Sequence, residues 1–234
     1  MELYKFSDSS EQIIEGRVIL INKPKGWSSF QIVNKIRHKI KKVKKIKKLK
    51  VGHAGTLDPL ATGLLIICVG KATKQIYQFQ NMTKVYTGIF KFGSTTPSYD
   101  LETKPNEKFS YLHLNKKNIT KNTKQFIGCI EQKPPVFSAI KIKGKRLYEY
   151  ARAKEQVEIN TRKVEIKKFE ITSIKLPLVG FRVECGKGTY IRSLANDFGK
   201  SLNSGAYLYM LNRVSIGAYG IENALKIDEF EKFI

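Results

Sequence analysis

Hydrophobic positions along the chain follow two periods, one typical of strands and one typical of helices. Continuous apolar runs predict buried strands in RVILINKP (17–24) and GLLIICVG (63–70). Alternating apolar and polar residues predict a half-buried strand in KVYTGIFKFG (84–93). Further strands are predicted within 162–188, which holds two, and at the end of the chain in 207–220. The chain is therefore rich in strands.

Apolar residues at spacings of three and four predict helices between these strands. The helical segments are SSFQIVNKIRHKIKK (28–42), RLYEYARA (146–153) and TYIRSLANDFGKSL (189–202). Ser28 or Ser29 is a plausible N-cap for the first helix. Strands joined by hairpins and mixed with helices indicate the α+β class and not a regular βαβ repeat.

Positive charge is the strongest signal in the composition, because 43 Lys and Arg against 20 Asp and Glu give a net charge of +23. Ten of the 43 basic residues lie in 35–50, where five apolar residues recur at spacings of three and four: Ile36, Ile40, Val43, Ile46 and Leu49. This pattern predicts an amphipathic helix with a basic outer face. That face could contact nucleic-acid phosphates, lie on a membrane or only carry solvated charge. The segment lacks the large anchoring aromatics that would favour a membrane.

Several classes of protein and site are disfavoured. No stretch reaches the roughly 20 apolar residues needed to span a bilayer, and the N-terminus is polar and unlike a signal peptide. The cysteines are few and far apart, which argues against a disulfide framework and favours a reducing cytoplasm. VGKATK lacks the residues of a phosphate-binding P-loop. The three histidines lack metal-ligand spacing, so we expect no metal.

One acidic residue stands out in GHAGTLDPLATG (52–63), a glycine-bounded loop that follows the lysine-rich segment. Asp58 lies between Leu57 and Pro59, and an Asp before a Pro is often a turn-former. It could instead be a reactive carboxylate. The residues alone leave both interpretations open.

The segment GHAGTLDPLATGLLIICVGKATK (52–74) closely resembles the signature motif of the bacterial tRNA pseudouridine synthase B family, usually called TruB. Five other segments resemble family motifs in the family's order: VILINKPKGWSSFQIV, KVYTGIFKFGSTTPSYD, PPVFSAIKIKGKRLYEYAR, CGKGTYIRSLANDFG and YLYMLNRVSIG. The resemblance implies the pseudouridine synthase fold, with a central mixed, mostly antiparallel sheet flanked by helices and loops.

The resemblance also implies a reaction, the isomerisation of the uridine at position 55 in the T-arm loop of tRNA. The bond from ribose C1′ to N1 breaks, the uracil turns, and C1′ bonds to C5. No cofactor or metal is required. Asp58 matches the catalytic carboxylate, which could attack C1′ or the base, or take a proton from C2′. The target base must be flipped out of its loop.

A charged network around Asp58 is implied by the same resemblance. Arg192 matches the residue that forms a salt bridge to the catalytic carboxylate. Asp100 matches an acid that shares this network. Pro97 departs from the family, which typically has Asp there, so the shape of this loop is open.

The resemblance assigns the remaining substrate contacts to single residues. Tyr86 matches the tyrosine that stacks on uracil and assists proton removal from C5. His53 matches the residue that fills the space left by the flipped base. Tyr190 and Leu211 match pocket positions. Lys74 and Lys23 match basic positions near the active-site rim or the motif core, and Lys23 could instead only brace the structure.

One catalytic domain is expected over 1–234, with a short polar N-terminal extension over 1–16 and no C-terminal PUA-like RNA-binding domain. We expect the lysine-rich segment to compensate by holding the RNA backbone through Lys41, Lys42, Lys44 and Lys45. A monomer that acts on tRNA in the cytoplasm is expected.

Three other functions remain open. An RNA-binding chaperone would not need Asp58. A glycosidase would need a second catalytic acid, and none is evident near Asp58. A pseudouridine synthase for ribosomal RNA is closest in chemistry, but the segment 134–152 favours the tRNA subfamily.

Overall fold

The structure is a computed structural model that describes residues 2–153 and 155–234. Within these residues the helices are α1 Ser10–Glu15, α2 Ser29–Val43, α3 Ile76–Asn81, α4 Lys116–Asn122, α5 Leu147–Arg152, α6 Ile191–Ser201 and α7 Ile227–Phe233. The strands are β1 Arg17–Lys23, β2 Val51–Ala54, β3 Thr62–Val69, β4 Lys84–Phe92, β5 Ser94–Thr95, β6 Glu107–Lys108, β7 Gly128–Gln132, β8 Lys141–Ile142, β9 Lys145–Arg146, β10 Arg162–Lys175, β11 Leu178–Cys185, β12 Ala206–Ile216, β13 Tyr219–Gly220 and β14 Leu225–Lys226. Short 3-10 helices cover Gly70–Gln75, Thr123–Phe126 and Ile221–Asn223.

The chain divides into two compact units. The first runs to Tyr86 and takes up the chain again at Leu211–Ile234. The second is Thr87–Met210. The boundaries fall inside β4 and β12, so each of these strands contributes residues to both units. Whether 1–234 acts as one catalytic domain stays a prediction.

Strand β3 is the centre of the first unit. It pairs antiparallel with β1 from Arg17↔Val69 to Lys23↔Gly63, and antiparallel with β2. It pairs parallel with β12 at Asn212↔Thr62. At the edges, β14 pairs parallel with β1, and β13 pairs antiparallel with β12. The pairing is therefore mixed and mostly antiparallel, as expected for the fold.

Both faces of β1 and β3 are buried, which explains why their sequences are continuously apolar instead of alternating. One face of the strands packs on α2, in a cluster with Ile21, Ile36, Ile40, Leu65 and Ile67 among its members. The opposite face packs with Phe79 of α3 in a second cluster that includes Val18, Leu20, Leu64 and Ile66.

Helix α2 begins where the sequence predicted. Ser28 is the N-cap, and it forms a capping box with Gln31. The predicted amphipathic helix over 35–50 is wrong beyond Val43, because Lys45 takes a left-handed backbone conformation with φ of 53°. The amide of Ile46 then bonds to the carbonyl of Lys41 at 3.1 Å, a Schellman-type ending that turns Ile46 into the core.

The N-terminal segment, expected to be a polar extension, is part of the first unit and packs on β1 and α7. Leu3 bridges Val18 of β1, and Tyr4 and Phe6 contact the ring of Phe230 in α7 at centroid distances of 6.1 and 6.2 Å. The aromatic residues within the polar stretch therefore extend the core.

The second unit contains an antiparallel set in which β10 pairs with β11 and β7. Two-stranded hairpins are formed by β5 with β6 and by β8 with β9. Aromatic rings packed against one another fill its core. Phe90 and Phe181 lie 4.0 Å apart, and Phe198 of α6 contacts Phe169 at 5.0 Å.

The predicted strands and helices outside 35–50 match β1, β3, β4, β10, β11, β12, α2, α5 and α6, and the α+β prediction is confirmed. No helix in the described part of the chain is long and apolar enough to cross a bilayer.

Candidate active site

Asp58 lies in the connection between β2 and β3, residues 55–61, which we call the Asp58 loop. The residue is half-buried, and its carbonyl accepts a hydrogen bond from the amide of Ala61 at 3.1 Å. The loop closes an antiparallel hairpin, so it stands at one end of the first unit's strands. Its position depends on hydrogen bonds to three other elements.

The first element is α2, which holds Leu57, the residue directly before Asp58. The hydroxyl of Ser29, in the first turn of α2, accepts from the Leu57 amide at 2.9 Å and donates to the Leu57 carbonyl at 3.0 Å. Both Ser29 and the Leu57 side chain are buried. The start of α2 therefore fixes the peptide units on the N-terminal side of Asp58.

The second holds Pro59, directly after Asp58. Its carbonyl accepts from the Gly26 amide at 2.8 Å and from the ammonium group of Lys23 at 3.4 Å. Lys23 is fully buried and also donates to the carbonyls of Pro24 at 2.9 Å and Trp27 at 2.6 Å. Lys23 therefore braces the backbone of the motif, which was one of the two roles left open for it.

The charge of Lys23 is tuned by its surroundings. Burial lowers the pKa of Lys23 to about 8, the negative charge of Asp58 raises it, and the positive charge of Arg213 lowers it further. Because this pKa lies above 7, Lys23 is mostly protonated at neutral pH. A buried cation therefore interacts electrostatically with Asp58.

The third element is β12, which carries the buried residue Arg213. Its guanidinium donates to the carbonyl of Leu64 at 2.8 Å and to the carbonyl of Gly55 at 3.0 Å. Gly63 lies next to it with φ of 108°, and a Cβ there would approach the Arg213 carbonyl to 2.4 Å. Only glycine fits this close approach between β3 and β12.

His53 lies on β2 and is half-buried. Burial lowers the pKa of His53, and the charge of Arg213 lowers it further. The imidazole is therefore mainly neutral at neutral pH. A flat, neutral ring in this position suits the predicted role of filling the space of a flipped base.

Leu211 is buried at the start of the first unit's part of β12. Its carbonyl accepts from the hydroxyl of Thr62 at 3.3 Å, which places it beside the end of β3 that joins the Asp58 loop. Tyr86 is half-buried on β4. Strand β4 begins beside the end of β12, where Gly217 donates to the carbonyl of Thr83 at 2.8 Å.

In the second unit, Arg192 lies in the first turn of α6 and is 3% exposed. Its guanidinium lies 3.6 Å from the carboxylate of Asp100 and donates to the carbonyl of Ser98 at 3.4 Å. The other carboxylate oxygen of Asp100 accepts from the amide of Glu102 at 2.9 Å. Arg192 and Asp100 are thus a buried ion pair.

The loop around Pro97 is well supplied with internal hydrogen bonds. The hydroxyl of Thr96 donates to the carbonyl of Asp100 at 2.7 Å, and the hydroxyl of Ser98 does so at 3.2 Å. Both side chains are buried. The hydroxyls therefore fix the backbone of Asp100 despite the proline.

Tyr190 is the N-cap residue of α6 and is half-buried. Gln132 of β7 bonds to both its amide, at 2.7 Å, and its carbonyl, at 3.0 Å. The guanidinium of Arg162 lies 4.6 Å from the centre of its ring, a cation–π contact. The start of α6 is therefore fixed to the strands of the second unit.

The lysines expected to hold RNA differ in their surroundings. Lys41 and Lys42 are in the last turn of α2, and Lys45 is exposed just beyond it. The ammonium of Lys44 instead donates to the carbonyls of Phe6 at 2.9 Å and Asp8 at 2.8 Å. We correct its expected role, because these bonds use its charge to hold the N-terminal segment.

Of the two positions expected for Lys74, the rim of the Asp58 loop is ruled out by the position of Lys74 along the chain. Lys74 lies in the 3-10 helix that follows β3, whereas the Asp58 loop precedes β3. At a rise of roughly 3.3 Å per residue, β3 is about 23 Å long. Lys74 is therefore at the opposite end of the strand from Asp58 and not at the rim of its loop.

Within the described residues, no group of three or more His, Cys, Asp or Glu side chains is arranged to hold a metal ion.

The model of the N-terminal domain of TruB family pseudouridylate synthases matches residues 41–191. The chain is also 58% identical to tRNA pseudouridine synthase B of Flavobacterium johnsoniae over 223 residues, covering 95% of this chain and 97% of that protein. This chain belongs to the TruB family. It is therefore a pseudouridine synthase, an RNA isomerase.

Similarity to other proteins named tRNA pseudouridine synthase B supports the membership of this chain in the TruB family. Those of Parabacteroides distasonis and Chloroherpeton thalassium are 47% and 48% identical, and each match covers 94% of this chain. The matches cover 94% and 91% of those proteins, so the similarity extends over nearly their whole length.

Solved structures support the pseudouridine synthase fold. A chain of an H/ACA ribonucleoprotein bound to a substrate RNA containing 2′-deoxyuridine matches 94% of this chain with a TM-score of 0.67 and 25% identity. A chain of a Cbf5–Nop10–Gar1 complex matches 99% with a TM-score of 0.68 and 25% identity. This chain spans 53% and 60% of those two chains.

Sequence reasoning missed two residues that position the TruB motif, Ser29 and Arg213. Ser29 was considered only as a possible helix cap, and its hydroxyl bonds instead to a loop distant in sequence. Arg213 follows apolar residues on a strand, and the signal available was one basic residue in a largely buried segment.

Proposed function

We propose that this TruB-family chain converts uridine 55 of tRNA to pseudouridine, with Asp58 as the reactive carboxylate. The names of relatives up to 58% identical support this substrate. The observation that carries the role of Asp58 is the fixed backbone on both sides of it, at Leu57 and Pro59. Catalysis benefits when the reacting group is held before substrate arrives.

The reaction requires one carboxylate close to the ribose. The C1′–N1 bond breaks, the uracil turns and a C1′–C5 bond forms, after which the proton leaves C5 and N1 is protonated. Atoms and electrons balance within the nucleotide, so no oxidant or reductant is needed. Asp58 attacks C1′ or the base, or removes the C2′ proton.

Arg192 is proposed as the cationic partner of Asp58 in the substrate complex. Its charge is already oriented by Asp100 and by the carbonyl of Ser98. A guanidinium can bond to two acceptors in different directions, which suits a residue shared between two carboxylates. Asp100 is then a positioning residue that acts through Arg192.

Substrate contacts are proposed for four further residues. Tyr86 stacks on the uracil and assists loss of the C5 proton, and His53 fills the space that the base leaves. Leu211 and Tyr190 line the pocket. The half-buried state of Tyr86, His53 and Tyr190 is compatible with direct contact to a base.

Outside the pocket, Lys41, Lys42 and Lys45 are proposed to contact the RNA backbone of the T-arm. Their charges lie on or next to the last turn of α2, and nucleic-acid affinity depends on such phosphate contacts. We also propose that the protein acts as a monomer, with 1–234 as one catalytic domain. Within the described residues Cys68, Cys129 and Cys185 form no disulfide, and we propose the cytoplasm as the compartment because thiols persist in a reducing environment.

A direct test is to incubate the protein with an unmodified tRNA transcript and map pseudouridine at every uridine. Pseudouridine at position 55 alone is expected, and a transcript with cytidine at position 55 should give none. Modification confined to other positions or to ribosomal RNA would refute the proposed substrate. Tight tRNA binding without any pseudouridine would favour an RNA chaperone.

A further inference from the structure

A small pocket of about 200 Å³ lies at the end of the β2–β3 hairpin opposite to the Asp58 loop. It is lined by residues of α1, of the segment before β2 and of the 3-10 helix after β3. Its lining includes the apolar residues Ile14 and Leu49 and four lysines: Lys48, Lys50, Lys71 and Lys74. We call this site the lysine pocket.

The backbone beneath the lysine pocket is held in place. The amide of Gly70 donates to the carbonyl of Lys50 at 2.8 Å, which ties the two ends of the hairpin together. Gly70 has φ of 63°, and a Cβ there would lie 2.3 Å from the carbonyl oxygens of Ile13 and Ile14. Helix α1 therefore packs directly on Gly70, and the pocket has a fixed floor.

Three of the four lysines of the pocket have no acidic partner among the described residues. Lys71 is paired with Glu15 of α1 at 2.7 Å. Lys48, Lys50 and Lys74 are exposed, and their side chains donate no hydrogen bond or ion pair to any other residue that the structure describes. Lysine side chains offer hydrocarbon stems as walls and keep their ammonium groups in water. Such a rim attracts an anion from outside the protein.

We propose that the lysine pocket binds two or three neighbouring backbone phosphates of the tRNA, several nucleotides away from the uridine that enters the Asp58 site. This inference rests on the proposed function. The length of β3, about 23 Å, separates the two places by more than one nucleotide. The pocket therefore recognises the position of the surrounding RNA and not the reacting base.

Phosphate on RNA fits the lysine pocket better than an acidic peptide does. Backbone phosphates recur at regular spacing, so several ammonium groups around one floor can act together on neighbouring phosphates. Ammonium groups bind phosphate as point charges without strict geometry. This arrangement contributes affinity and no base specificity.

The test compares tRNA binding by the wild type, the Lys48→Gln, Lys50→Gln, Lys74→Gln variant and a control with the same charge change. The control replaces three exposed lysines of α4 with Gln: Lys116, Lys117 and Lys121. Dissociation constants for full-length tRNA are measured from about 50 to 300 mM salt, the range in which phosphate contacts change affinity most. A further variant, with Lys48→Arg, Lys50→Arg and Lys74→Arg, keeps the positive charge. It shows whether a loss of affinity comes from the lost charge or from misfolding.

We expect the Gln pocket variant to bind tRNA about tenfold more weakly at low salt and its salt slope to fall by about 2 to 3. The rate of pseudouridine formation at saturating tRNA should stay unchanged. The Arg variant should retain affinity, and the α4 control should lose much less. Equal losses in the Gln pocket variant and the control would overturn the proposal.

Two other outcomes separate this inference from the proposed function. If the wild type binds tRNA through these lysines but forms no pseudouridine, the proposed function fails and the lysine pocket stands. If polyglutamate binding is lost in the Gln pocket variant while tRNA binding is unchanged, the pocket belongs to an acidic protein partner and the inference is overturned.

Discussion

The two ends of the β2–β3 hairpin differ in how they use positive charge. At the Asp58 end, Lys23 and Arg213 are buried, and each donates to backbone carbonyls. At the other end, Lys48, Lys50 and Lys74 are exposed, and their side chains have no protein partner within the described residues. The same kind of charge thus holds a loop at one end and faces solvent at the other.

The difference shows that charges at one end of a hairpin can position a loop while charges at the other end attract an anion. Buried hydrogen bonds from charged donors are strong and geometrically specific, so they fix a loop to a small set of conformations. Exposed charges are screened by salt and act over longer distances with little geometric demand. Mutations at the Asp58 end should therefore change catalysis, and mutations at the other end should change affinity.

Four sets of substitutions test the difference between buried and exposed positive charges, and the largest effect is expected for Arg213→Met. The change leaves the carbonyls of Gly55 and Leu64 without their donor, and each buried unsatisfied group costs about 1–3 kcal/mol. We expect a matching fall in the free energy of unfolding and a roughly 100-fold lower kcat, since small displacements of reacting groups are costly. Chemical denaturation and steady-state kinetics measure both. An unchanged kcat in the folded variant would show that the hydrogen bonds of Arg213 do not position Asp58.

A smaller effect is expected for Ser29→Ala, which removes both hydrogen bonds to Leu57. We expect a loss of about 1 kcal/mol in stability and a roughly tenfold lower kcat with little change in KM. Ser28→Ala is the matched control, because loss of this N-cap also costs about 1 kcal/mol without touching Leu57. Equal kcat values for the two variants would contradict a positioning role for Ser29.

Lys23→Met should change how stability depends on pH. Because the pKa of Lys23 falls from 10.5 in the unfolded chain to about 8 in the fold, the unfolded state binds more protons between these values. Wild-type stability should therefore rise relative to Lys23→Met as pH increases from about 8 to 10.5. Urea denaturation of both proteins at several pH values in this window measures the difference. A constant difference across the window would show that the fold does not lower the pKa of Lys23.

The smallest effect on the reaction itself is expected for the lysines at the end of α2. Replacing Lys41, Lys42 and Lys45 with Gln should weaken tRNA binding and reduce the salt slope by about 1 for each of these lysines that binds a phosphate in the wild type. Lys44 is left in place because it holds the N-terminal segment. Binding at several salt concentrations measures the slope, and an unchanged slope would exclude these lysines from the RNA interface.

Local sequence patterns predict much of this fold because the deciding interactions are local. The apolar run of β3 and the capping box at Ser28 are examples. The end of α2 was not predictable in this way, since the lysine pattern continues past Val43 while Lys45 turns the chain. That turn is supported by tertiary contacts, namely burial of Ile46 and the bonds of Lys44 to the N-terminal segment.

In the candidate site, too, some residues can be identified from the sequence and others only from tertiary contacts. Asp58, Arg192 and Asp100 were found by resemblance to family motifs, and their residue types carry the chemistry. Arg213 depends on the parallel pairing of β12 with β3, which joins parts of the chain far apart in sequence. The lysine pocket likewise forms only when α1 packs on Gly70. Such sites require the fold to be known.

The central claim is that the Asp58 carboxylate performs the rearrangement. The most direct measurement is tritium release from tRNA labelled at uridine C5, for the wild type, Asp58→Asn and the control Asp228→Asn, an exposed position in α7. The account predicts normal release by the wild type and the control, and a loss of about 10³-fold or more for Asp58→Asn with tRNA binding retained. Tritium release by Asp58→Asn at the wild-type rate would contradict it.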